Sequence, residues 1–165
     1  MGKDAHYWRD MKIRYAVADT DFPDYNNAVG IDPGRNWGIG LLVDGVLYSY
    51  WGQFPKCKLA TDYHIMASDF ILEWLPADLP AKVAIVEGPS YNEMYGQVAL
   101  EDIRLGFFMA FKSLGYDVCY VAPQSVRKAV FGNGRIKARD VWLDLPNNNG
   151  SDGAALALYG GGYYG

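Results

Sequence analysis

Between Ala28 and Phe54 the chain carries three apolar, strand-like segments almost end to end: Ala28–Ile31, Trp37–Val43 and Val46–Phe54. Only Asp32-Pro33-Gly34-Arg35-Asn36 separates the first two, and only Asp44-Gly45 the last two. Neither link has the dozen or so residues that a crossover to a parallel neighbour requires, so the three strands must run antiparallel. Asp-Gly between two apolar runs is also the strongest short-range hairpin signal.

Further along, helical patterns begin to alternate with strands. Leu59, Tyr63, Met66, Phe70 and Trp74 stand at helical spacing across Leu59–Leu75, and "LPADLP" ends that helix. Lys82–Val86 is short and β-branched, suiting a buried parallel strand that ends at Glu87. Asn92–Leu114 reads as a long helix closed by Gly115, and Tyr116–Val121 as a fifth strand. Helices are expected at Pro123–Phe131, at Arg135–Leu143 and, after "PNNNG", at Ser151–Tyr159. Hairpin strands followed by alternating helices and strands predict an α/β domain with a mixed five-stranded sheet flanked by helices. Residues 1–26 have weak periodicity and read as an N-terminal arm, in which Met11–Ala18 is a candidate edge strand. Residues 27–165 form the domain.

Composition narrows the function classes. At 165 residues, half of them apolar, the chain can bury one substantial core. No apolar run approaches the roughly 20 residues of a membrane span, and "MGKDAHYWRDMKIR" has no secretory apolar core. Cys57 and Cys119 match no zinc or redox spacing, so free thiols in a cytoplasmic setting are expected. The net charge is −4, yet Val118–Arg139 contains no acid and holds Arg127, Lys128, Arg135, Lys137 and Arg139. That stretch reads either as a solvated helix face or as a phosphate-binding patch.

Three acids occupy comparable topological positions: Asp32 ends one strand, Glu87 ends another, and Asp152 opens the final helix. Strand ends of an open α/β sheet line the crevice where ligands bind. Asp32 can be turn chemistry before Pro33-Gly34 or a metal ligand, and Asp152 can be a helix cap or a ligand. Clustered carboxylates repel unless a cation lies between them, and Mg²⁺ favours oxygen donors. His6 and His64 are isolated and offer no competing metal site.

The order "GIDPG", "AIVEGP", "PQSVRKAVFGNGRIKARDVW" and "SDGAALALY" resembles the RuvC-like Holliday junction resolvases of the RNase H-like nuclease superfamily, over Ala28–Tyr159. The resemblance implies an RNase H-like fold and a Mg²⁺-dependent endonuclease, with Mn²⁺ able to substitute. Such an enzyme cuts branched DNA, four-way junctions above all. It implies Asp32, Glu87 and Asp152 as metal ligands and Asn149 where the family pattern has an aspartate. A divergent site, an inactivating replacement and substitution by Asp144 all remain open for Asn149. The resemblance further implies phosphate contacts from the basic stretch, with Arg127 and Lys137 nearest the family positions. Tyr91 is the nearest equivalent of a junction-stacking aromatic, or else a turn-packing side chain. It also implies a homodimer built on the Asn92–Leu114 helix, whose apolar residues equally suit a broad core.

Overall fold

The computed structural model describes residues 8–89, 98–135, 137 and 145–164. Six strands form one mixed sheet: β1 (Arg14–Val17), β2 (Ala28–Asp32), β3 (Asn36–Val43), β4 (Val46–Gln53), β5 (Val83–Glu87) and β6 (Asp117–Val121). Their spatial order is β1-β4-β3-β2-β5-β6. The pairs β1/β4, β4/β3 and β3/β2 are antiparallel, whereas β2/β5 and β5/β6 are parallel. The helices are α1 (Ala60–Trp74), α2 (Val98–Ser113), α3 (Pro123–Phe131) and α4 (Asn148–Gly162).

The β3–β4 hairpin closes through Asp44 (φ 51°) and Gly45 (φ 81°), the two left-handed residues that a type I′ turn requires. The sheet has six strands where five were expected, because Arg14–Val17 pairs along β4. β1 is held by backbone pairing while its side chains are mostly exposed, so it carries no apolar alternation to reveal it.

Strand alternation sorts the core into two layers. Val29, Ile31, Trp37, Ile39, Ala84 and Val86 pack toward α1 and α2, against Met66, Phe70, Phe107 and Phe111. The opposite face carries Leu42, Leu47 and Ile85 against the alanines and leucines of α4. There α4 lies almost on the sheet backbone. A Cβ on Gly38 would stand 1.7 Å from the Asn149 carbonyl oxygen, and one on Gly30 2.2 Å from the Ala157 nitrogen. Only glycine permits that approach.

α4 begins at Asn148, three residues before the expected start. The Asn147 side chain accepts from the Gly150 amide at 3.0 Å and caps it, so "PNNNG" starts the helix as well as breaking the chain. Asp152 therefore stands inside the helix and is not its cap. Gly115 (φ 86°) follows α2 as expected, its amide donating to the Lys112 carbonyl at 3.0 Å. Among the described residues no disulfide forms, and no helix is long and apolar enough to cross a membrane. The expected Arg135–Leu143 helix, Arg135 and Lys137 excepted, falls outside the described residues, as does the start of the long helix over 92–97.

Candidate active site

β2 and β5 are neighbours in parallel register, with Ile31 opposite Val86 and both buried on the α1/α2 side. The next residue on each strand is an acid, and strand alternation turns Asp32 and Glu87 to the α4 side together. Asp32 pairs with Gly38, the residue on which the first turn of α4 rests. Two strand ends and one helix thus bring Asp32, Glu87 and Asp152 to one crevice.

The electrostatics record that convergence. Burial drives the Asp32 carboxyl well above the usual carboxylate range, and the charges of Glu87 and Asp152 push it the same way. The side chains of Asp32 and Glu87 hydrogen-bond to each other. Glu87 is pushed up to about 7, first by burial and then by Asp152, against the relief of Asp32, Arg127 and Arg104. Two adjacent carboxyls sharing one proton is the expected response to repulsion at low dielectric.

Glu87, Arg127, Asp152, Pro123 and Val126 line a small hollow of about 10 Å³. That is room for one water-sized occupant. Among the described residues no three His, Cys, Asp or Glu side chains close into a ready-made ligand cluster. A divalent cation relieves the same repulsion that the shared proton relieves, and a set made of carboxylate oxygens is the kind that Mg²⁺ takes. The donors therefore fit such an ion by their chemistry.

The other site candidates are distributed as follows. Arg127 projects from α3 into the acid crevice, where its charge lowers both Asp32 and Glu87. Lys128, Arg135 and Lys137 are exposed. Asn149 lines a separate hollow with Lys12 and Arg14 and does not line the one shared by Glu87 and Asp152. Tyr91, Arg139 and Asp144 lie outside the described residues.

Arg104 on α2 is a residue that sequence reasoning missed. It is 4% exposed, donates from Nε to the Glu87 carbonyl at 3.0 Å, and pairs with Glu101. A signal was present: Arg104 stands three and seven residues before Phe107 and Phe111, on the buried face of α2. A cation on an apolar helix face needs a buried acceptor.

No protein-family model matches the chain, and no curated protein matches it in sequence. Solved structures do match. The Thermus thermophilus RuvC structure superposes with a TM-score of 0.58 at 18% identity, covering 80% of this chain and 91% of that one. T. thermophilus RuvC in complex with Holliday junction substrate gives 0.55 at 18% identity, covering 81% and 90%. The chain has a RuvC-like, RNase H-like α/β fold.

Proposed function

We propose that the chain is a divalent-metal-dependent endonuclease that cuts phosphodiester bonds in branched DNA, four-way junctions first. The observation that carries this reading is the convergence of Asp32 and Glu87, at adjacent strand ends, with Asp152 on the helix α4. These three would hold Mg²⁺ or Mn²⁺. An ion held there would supply activation of a water for attack and charge stabilisation for the leaving oxygen. Arg127 keeps the carboxyls of Asp32 and Glu87 more acidic than burial alone would leave them, which favours their charged, ligating forms. Lys128, Arg135, Lys137 and Arg139 would grip backbone phosphates, making binding steeply salt-dependent. Tyr91 would stack at the open centre of the junction.

A homodimer would place two such crevices on one junction. Leu105 and Met109, one turn apart on α2, are 44% and 50% exposed, and Tyr120 on the edge strand β6 is 42% exposed. The Tyr120 ring packs tilted against Phe108 with centroids 4.7 Å apart, which joins helix and strand into one apolar face suited to a twin copy.

The test is cleavage of synthetic four-way junctions in Mg²⁺ or Mn²⁺. Paired nicks, lost with Asp32→Asn or Glu87→Gln while junction binding persists, are expected. Intact junctions from both the wild type and Asn149→Asp would overturn the enzyme reading. Asn149 favours one alternative, a protein that binds branched DNA without cutting it. That reading requires junction binding unaffected by EDTA or by Asp32→Ala, with no nicks at all.

A further inference from the structure

The arm that precedes the first central strand contributes to a second, larger hollow. It has a volume of about 360 Å³, and its walls include Lys12, Arg14, Asn36, Trp51, Gln53 and Asn149. Strand pairing explains why Arg14, Asn36, Trp51 and Gln53 meet. Arg14 lies opposite Trp51, Trp51 opposite Gly38, and Gln53 opposite Asn36. Cross-strand partners and alternate residues share a face, so all of these point to the α4 side, as Asp32 does. The hollow therefore lies on the same face of the sheet as the acid crevice, over β3, β4 and β1, with the first turn of α4 between the two.

Its chemistry is one-sided. Two cations and several amides line it, and among the described residues no carboxylate does. Among the described residues neither Lys12 nor Arg14 makes an ion pair. Cations and amide donors select an anion, and an indole among them offers a stacking surface for a base. The volume falls within the range of pockets that hold a molecule of nucleotide size. Strands lie about 4.8 Å apart, so the hollow extends to about 14 Å from Asp32. That reach equals about four nucleotide steps at ~3.4 Å of rise.

We propose that Lys12, Arg14, Asn149 and Trp51 form a strand-holding subsite for DNA, in which a backbone phosphate a few nucleotides from the acid crevice meets the cations and a base stacks on the indole. This rests on the nucleic-acid reading of the crevice and adds a part for the N-terminal arm. It also gives Asn149 a use that an aspartate could not serve, since a carboxylate here would repel the phosphate.

The experiment measures affinity for a fluorescein-labelled four-way junction and a labelled single strand as salt is varied, with Ca²⁺ replacing Mg²⁺. Lys12→Ala/Arg14→Ala should weaken junction binding about ten-fold, and should make the slope of log affinity against log salt shallower by about two. Each single variant should account for about half of the change in slope. Lys82→Ala, at the opposite end of the sheet, should leave the slope unaltered. Single-strand binding should quench tryptophan emission in the wild type, with a smaller amplitude in Trp51→Phe. Unchanged affinity and slope in the double variant, while the wild type binds, would overturn the subsite and leave the endonuclease reading standing. An equal loss in Lys82→Ala would reduce the effect to net charge and also overturn it. A deoxynucleoside monophosphate that saturates the quench as tightly as the strand would identify a free-nucleotide site instead, against the proposal. A wild type that binds no DNA would overturn both readings.

Discussion

Burial, reinforced by Asp152, moves the Glu87 carboxyl from 4.5 to about 7, so the acid pair exchanges a proton with solvent close to neutrality. The sign of the linkage is set by that upward shift. The folded state binds the proton more tightly than the unfolded chain, so this contribution is full below 4.5 and lost as pH rises through about 7. Its ceiling is about 3 kcal/mol, reduced where solvent reaches the half-buried carboxyl. In EDTA, the melting temperature should fall between pH 5 and pH 8, and Glu87→Gln should flatten that profile. Mg²⁺ should raise the wild-type melting temperature more at pH 8 than at pH 5, because ligation needs the deprotonated pair. Arg104 acts on the same strand end from the backbone side. Arg104→Met leaves the Glu87 carbonyl without its donor and should lower stability by about 1–3 kcal/mol in urea unfolding. Glu101, mostly solvated, adds little to that loss.

α4 meets the sheet through glycines, and its placement decides where Asp152 stands. Gly38→Ala would put a methyl group inside the Asn149 carbonyl, forcing α4 to lift from β3. A loss of about 3 kcal/mol or more is expected by thermal unfolding. Metal-dependent stabilisation should fall further than stability does, because Asp152 moves with the helix. These elements differ in how far the sequence reveals them. Asp44-Gly45 announces its hairpin because few residues tolerate two left-handed positions in a row. Asp32 and Glu87 are legible as candidates because each interrupts an apolar run at a turn. β1 is less so, since its pairing is backbone chemistry and its side chains face water. The start of α4 departs from the expected one because consecutive asparagines serve turns and caps equally well. Arg104 and the hollow around Asn149 depend on which surfaces meet in three dimensions, and no spacing rule contains that.

The whole molecule has asymmetric edges. Among the described residues β1 is the edge strand on one side of the sheet, and β6, beside α2, leaves the other side open to a further strand. If the open side is the dimer face, Leu105→Glu/Met109→Glu should give a folded monomer by sedimentation velocity, where the wild type sediments as a dimer. Both side chains are already exposed, so the monomer's melting curve should change little. A wild type that is monomeric at every concentration would exclude this face. The seating of α4 has a separate consequence. Where a helix rests on side chains, substitutions can slide or tilt it by small amounts. Here Gly30, Gly38 and Gly40 make backbone the seat, and backbone does not change with the residue. The separation of Asp152 from Asp32 is thus decoupled from the aromatic layer beneath α1 and α2. Substitutions confined to that layer should therefore leave the spacing of the acids unchanged.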